Sequence, residues 1–261
     1  MFSIGALDVH RHGLLFLIGF TVGFFIIRNM WKREEVNPLW LDRLMLFTFI
    51  GLIVGARLGH CLFYDPVYYL THPLKVLYAR EGGLAGHGAL LGMVAAAFLF
   101  SKKVSCGNFL WTFDKLMTVT GPGAALMRFG NLLNHEIYGR PTDLPWGFRF
   151  ISNLHAWKGG AEPVFTVPVH PTQLYEACCY LLTFALCLWL YFRKDAWKKE
   201  GLISGVFLIC CFTSRFLIEF LKNPQATFEE GMFLNMGQLL SIPFILTGIY
   251  LVKKVIRDSD H

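Results

Sequence analysis

Long apolar runs of about 18 to 25 residues dominate the chain and are separated by short segments where charge, proline and glycine collect. A helix of about 20 apolar residues crosses the ~30 Å hydrocarbon layer of a bilayer. The pattern therefore predicts spans near residues 13–30, 44–64, 83–101, 110–133, 172–192, 202–221 and 233–252. The expected fold class is all-α, a polytopic membrane protein with seven transmembrane helices. Only one connection is long, about residues 135–170, and Pro141, Pro145, Gly159, Gly160, Pro163 and Pro168 punctuate it against continuous helix. It is expected to form a small cap on the outer face. With no internal repeat and no low-complexity segment, residues 1–261 are expected to form a single integral-membrane domain.

Composition and charge sharpen this picture. Hydrophobic residues make up 54% of the chain and charged residues 16%, with mean hydropathy +0.47, against roughly 25% charged in an ordinary soluble domain. The formal net charge of +6 is spread between apolar runs, not gathered on one soluble face, so nucleic acid is not an expected partner. The basic residues orient the chain instead. With the N-terminus outside and the C-terminus cytoplasmic, inner segments hold thirteen Lys and Arg and outer segments seven, the asymmetry that the positive-inside rule requires. The first run, Gly13 to Ile27, is followed by Arg28, Lys32 and Arg33, the reverse of a signal peptide's polarity, so it is expected to be a mature span. Trp31, Trp40, Trp111, Trp189 and Trp197 fall near span ends, where an amphipathic indole is at home. Seven cysteines without a CxxC spacing indicate neither a zinc site nor a disulfide framework, and no metal or cofactor is expected.

An ionisable side chain inside a span costs at least ~2.5 kcal/mol, so each one asks for a reason. In the orientation above, His87, Arg128, Asn131, Arg215 and Glu219 lie near the outer ends of three spans. Arg57 lies in the outer half of the second, and His12 and His170 at two outer mouths. The pattern predicts a polar cavity at one depth, richer in cations than anions, suited to a phosphate or carboxylate ligand.

Four motifs supply its walls. Gly82-Gly83-Leu-Ala-Gly86-His87-Gly88 through Gly92 is dense in glycine, which permits close helix packing or a locally opened backbone. Arg128, Asn131 and Asn134 share a helical stripe ahead of Glu136, Gly139 and Arg140. Gly121-Pro122-Gly123, earlier in that span, is expected to break or kink it. Arg215 and Glu219 stand at i, i+4, a spacing for an ion pair, with Lys222 beyond. His170-Pro171-Thr172-Gln173-Leu-Tyr175-Glu176 reads as a helix start whose Gln, Tyr and Glu tie down the cap.

These motifs, together with Gly55-Ala-Arg57-Leu-Gly59, Arg215-Phe-x-x-Glu219-Phe and Met236-Gly237-Gln238, resemble the prolipoprotein diacylglyceryl transferase family in order and over almost the whole chain. There are departures. His12 stands where the family usually has Tyr, Met127 and Ala89 where it has Gly, and Lys222 and Gln225 where Arg and Asp are common. The resemblance implies a bacterial inner-membrane transferase. It would move the diacylglyceryl group of phosphatidylglycerol to the lipobox cysteine thiol of a secreted prolipoprotein, forming a thioether and releasing glycerol phosphate.

For such a displacement His87 is the candidate base, since an imidazole with an ordinary pKa near 6.5 is mostly neutral at pH 7. Arg128 and Arg215 are expected to hold the phosphate. Asn131 and Asn134 are expected to orient the headgroup, Glu136 and Glu219 to fix the arginines, and Arg140 to anchor cap or headgroup. Arg57, Gly139, His170, Gln173 and Tyr175 are expected to support the site. The competing class, a transporter or binding protein for an anionic lipid or solute, would also want arginines in a cavity, but it usually shows repeated halves and a midplane site.

Overall fold

The computed structural model describes residues 2–4, 7–9, 11–63, 66–77, 85–223 and 234–259. A short antiparallel hairpin, β1 (Phe2–Ile4) and β2 (Leu7–Val9), pairs Phe2 with Val9. It is too short for a period of two to announce it in the sequence. Helices follow: α1 (Arg11–Arg33), α2 (Pro38–Phe63), α3 (Pro66–Thr71), α4 (Gly86–Phe100), α5 (Phe109–Leu133), α6 (Leu154–Lys158), α7 (Thr172–Arg193), α8 (Leu202–Glu219) and α9 (Met236–Ser259). Among the described residues six helices are long and apolar enough to cross a membrane: α1, α2, α4 with its π-helical extension to Ser105, α7, α8 and α9. The remaining expected span, α5, has 25 residues and carries Asp114, Lys115 and Arg128, so composition alone sets it apart. Beyond the short hairpin and a few single bridges the described residues form an all-α, polytopic fold, as the apolar runs require.

Helix starts lie where capping chemistry puts them. α2 begins six residues before the expected span because Asn37 caps it, its Oδ1 accepting from the Leu39 amide at 3.0 Å, and Pro38 occupies the first helical position. Asn108 caps α5 in the same way, accepting from the Leu110 amide at 3.0 Å. α5 then runs as one helix through Gly121-Pro122-Gly123, so of the expected break or kink the break does not occur. Packing holds it there. A Cβ on Gly121 would stand 2.8 Å from the Phe184 Cβ and 3.0 Å from the Tyr180 carbonyl oxygen, so α7 presses directly on the α5 backbone beside the proline.

The chain divides into two compact units, residues 24–116 and residues 1–23 with 117–261. In the first, α2 and α4 cross at backbone distance. A Cβ on Gly59 would lie 2.6 Å from the Gly88 Cα, one on Gly55 2.7 Å from the Gly92 Cα, and one on Gly51 2.9 Å from the Ala96 Cβ. The glycines of the third span thus serve close packing, the small-residue mode of helix association in lipid.

Arg57, 6% exposed, donates from Nε to the Val76 carbonyl at 2.8 Å and from Nη2 to the Lys75 carbonyl at 2.7 Å. It clips the segment after α3, whose Leu74 and Leu77 are exposed, onto α2. Near the other end of this unit Lys115 pairs with Glu34 at 3.0 Å, and the Trp111 indole donates to Glu34 at 2.7 Å. Trp31 packs tilted against Trp111 and is buried, so it is a core residue and not the interfacial anchor expected from its position.

In the second unit α8 and α9 approach through Gly205 and Gly248, where a Cβ on either would meet the other's carbonyl oxygen at 3.0 and 2.8 Å. Phe212 and Phe244 stack between them, centroids 4.2 Å apart. The stretch between α5 and α7 folds as a small cap of single β-bridges, Pro141 and Phe148 both to Val169 and Ile151 to Phe165. This is the irregular segment that its prolines and glycines foretold.

Candidate active site

The charged centre is built on Glu176. α7 starts at Thr172, directly after Pro171, which puts this carboxylate one turn inside the helix with no solvent exposure. Around it stand Lys222 Nζ at 2.9 Å from Oε1, Arg128 Nε at 3.0 Å from Oε2, and Arg215 Nη1 at 3.8 Å from Oε1. The Arg128 contact is coulombic and not an aimed hydrogen bond, because Glu176 Oε2 accepts none among the described residues. Lys222 also pairs with Glu219 Oε2 at 3.3 Å. A buried charge of either sign is tolerated only with such compensation.

Exposure divides these groups by task. Glu176 and Lys222 are sealed, whereas the side chains of Arg128 and Arg215 are 17% and 25% exposed. One buried carboxylate therefore stands against two guanidinium side chains that each keep part of their surface accessible. A guanidinium presents up to five donors in a planar fork, so both arginines keep capacity for a tetrahedral oxyanion. Glu219 sits against the first turn of α9, where a Cβ on Gly237 would come 2.6 Å from its Cδ. An anion at a helix N-terminus is favoured by the helix dipole, and glycine there lets the carboxylate approach.

The cap is fastened around this centre. Gln173 donates to the Glu136 carbonyl at 2.7 Å, Thr172 to the Ile137 carbonyl at 3.1 Å, and Asn131 to the Glu136 carboxylate at 2.8 Å. Arg140 follows the end of α8, its amide donating to the Leu221 carbonyl at 2.8 Å and its Nε to the Lys222 carbonyl at 3.0 Å. Gly139 is required between them, since a Cβ would stand 2.5 Å from the Leu221 oxygen and 2.8 Å from the His170 Cβ. The Tyr175 hydroxyl receives a hydrogen bond from the Trp146 indole at 2.9 Å and lies 3.3 Å from His170 Nδ1, tying the cap to the start of α7.

Several expected residues thus meet: Arg128, Arg215 and Glu219 at the charged centre, and Asn131, Glu136, Gly139, Arg140, His170, Gln173 and Tyr175 at the cap's base. The expected division of labour changes. Among the described residues the ion pairs of both arginines are with Glu176; Glu136 accepts from Asn131, and Glu219 pairs with Lys222. The i, i+4 spacing of Arg215 and Glu219 does not produce their pair because Arg215 turns to α7.

Asn134 lies just past the end of α5, and Arg57 belongs to the other unit as a clip on backbone carbonyls. His87 is in the first turn of α4, and its side chain, like those of His12 and Gln225, lies outside the described residues. Glu176 and Lys222 belong to the charged centre, although sequence reasoning did not name them as site residues. A carboxylate one turn inside a predicted span was the available signal, since such a group demands cations. Among the described residues no cluster of three or more His, Cys, Asp or Glu is arranged to hold a metal ion.

Apolar spans around a sealed carboxylate, with two part-open guanidinia set upon it, define a multi-pass membrane protein with a cation-rich centre at the ends of its helices. The family model for prolipoprotein diacylglyceryl transferase matches residues 1–253. The chain is 47% identical to a phosphatidylglycerol–prolipoprotein diacylglyceryl transferase of Porphyromonas gingivalis, over 99% of this chain and 93% of that protein. It is 41% identical to the one of Tolumonas auensis, over 97% and 93%, and 35% identical to the one of Chloroherpeton thalassium, over 100% and 93%. The chain belongs to the prolipoprotein diacylglyceryl transferase family.

Proposed function

We propose that this protein transfers the diacylglyceryl group of phosphatidylglycerol to the lipobox cysteine thiol of a secreted prolipoprotein in the bacterial inner membrane. The observation that carries the reading is the pair of part-open guanidinia, Arg128 and Arg215, held on one buried carboxylate in a chain matched along its length by transferases of that name. The acceptor S–H gives its proton to a base. Sulfur then attacks the glycerol carbon that bears the phosphate, the C–O bond breaks with its electron pair going to the phosphate oxygen, and glycerol phosphate leaves behind a thioether. Charge grows on the leaving phosphate as that bond opens. Preorganised cationic donors aimed at developing charge are the strongest help a protein can give such a step.

Arg128 and Arg215 hold the phosphate, Asn131 and Asn134 orient the glycerol headgroup, and Arg140 with the cap fixes the mouth of the site. Purified protein with phosphatidylglycerol and a lipobox peptide is expected to yield the thioether-linked lipopeptide. No product under conditions where a relative is active sinks the proposal.

His87 is the base in this reading. A free cysteine thiol, pKa near 8.5, is only a few per cent ionised at neutral pH, so a base matters there and matters less as pH rises. His87→Gln is expected to slow transfer at pH 6 to 7 and to recover much of the rate toward pH 9, where the thiol ionises unaided. A purely structural His87 gives a loss that pH does not repair, and an unchanged rate across the range removes it from the mechanism.

The N-terminus is outside and the C-terminus cytoplasmic. An impermeant thiol reagent applied to intact cells is expected to label Ser152→Cys and spare Lys198→Cys. The opposite pattern reverses the orientation.

A further inference from the structure

We propose that an apolar furrow between α7 and α8 holds one acyl chain of the donor phospholipid and so aligns its glycerol carbon beneath Arg128 and Arg215; this rests on the functional reading above. The furrow has a volume of about 440 Å³. Its floor is made of small side chains, Cys179, Thr183, Cys210 and Ser214, between exposed rims that include Leu182 and Leu217. Two of the three hydroxyl residues lining the furrow, Thr183 and Ser214, have their hydroxyls held by backbone, the third being Thr213. Thr183 donates to the Cys179 carbonyl and Ser214 to the Cys211 carbonyl, each at 2.8 Å, so the furrow presents mainly carbon and sulfur and offers water few partners.

The furrow lies on the same two helices that carry Glu176 and Arg215 of the charged centre. Glu176, Cys179 and Thr183 are spaced i, i+3, i+7 and share one stripe of α7, about 10 Å long. On α8, Ser214 of the floor directly precedes Arg215. Charge at one end and a dry track leading from it complement a single amphiphile, an anionic headgroup with an acyl chain. Bilayer lipid is as apolar as the furrow, so seating a chain there gains little by hydrophobic transfer. The gain lies in orientation. A reacting carbon displaced by about 1 Å can cost on the order of a hundredfold in rate.

The test uses wild-type protein in nanodiscs of zwitterionic lipid with phosphatidylglycerol carrying a photoreactive diazirine in mid-chain. Crosslinks are expected on peptides from α7 and α8 and to fall when soluble glycerophosphoglycerol competes for the arginines. Filling the floor with Cys210→Trp is expected to lower kcat for dipalmitoyl phosphatidylglycerol roughly tenfold or more, with KM and melting temperature little changed. Thr213→Leu is the gentler second filler, for a case in which the indole unsettles α8. Crosslinks spread evenly over the lipid-facing helices, or indifferent to the competitor, mean annular lipid only and overturn the proposal. So does wild-type kcat in both filled variants. Transfer by the wild type, measured on the same preparation, keeps these outcomes separate from failure of the functional reading.

Discussion

Arg128→Ala and Arg215→Ala are each expected to lower diacylglyceryl transfer by roughly 10²–10³-fold, the usual loss when one preorganised donor to developing charge is removed. Lysine at either position is expected to restore part of the rate, because it returns the charge without the planar fork that makes two parallel hydrogen bonds. The buried partner is as informative. Glu176→Gln keeps the shape but removes the negative charge that Arg128, Arg215 and Lys222 share. Leaving buried cations without their counter-ion costs about 3–5 kcal/mol. The variant is therefore expected to melt earlier and to transfer at a small fraction of the wild-type rate. Thermal melting in detergent separates the two losses: a Glu176→Gln protein that melts as the wild type and transfers normally shows that the carboxylate does not hold the arginines in use. Wild-type turnover by either alanine variant, at equal membrane abundance, shows the arginine concerned to be redundant.

Much of this arrangement was legible in the sequence because bilayer physics leaves few options. Runs of about 20 apolar residues must be helices, and a charge within one must meet a partner. That is why Arg128 and Arg215 stood out. Their partner did not, because Glu176 sits in a motif that equally describes a helix start, and Gln173 and Tyr175 beside it do tie the cap as expected. Pairing across 46 residues, as between Lys222 and Glu176, is set by how helices pack and leaves no local trace. Lys222 was visible as a charge beyond Arg215 and Glu219 and as a departure from Arg, although either residue supplies the positive charge that Glu176 and Glu219 need. Gly121-Pro122-Gly123 misled in the opposite direction. Proline removes one hydrogen bond and glycine adds freedom, but the pressure of α7 on Gly121 keeps α5 continuous.

The glycines between α2 and α4 carry the other large effect. Gly88→Val and Gly92→Val are expected to prevent accumulation of folded protein, because their side chains would enter the α2 backbone and not a yielding side chain. A Cβ on Gly88 lies 2.8 Å from the Gly59 Cα, and one on Gly92 3.0 Å from the Gly55 Cα and 2.7 Å from the Gly51 carbonyl carbon. Overpacking usually costs about 1–3 kcal/mol and more where nothing can give, and two helix backbones in contact cannot give without separating. Gly123 is the control. It too lies inside a long helix, yet a Cβ there meets nothing within 4 Å, so Gly123→Ala is expected to be neutral or to stabilise by about 0.5–1 kcal/mol through lost chain entropy. Membrane abundance and melting temperature of the three variants, compared in one background, decide the matter. Gly92→Val at wild-type levels and wild-type melting would show that α2 and α4 do not depend on this contact, and that the glycine density ahead of it serves the neighbourhood of His87 instead.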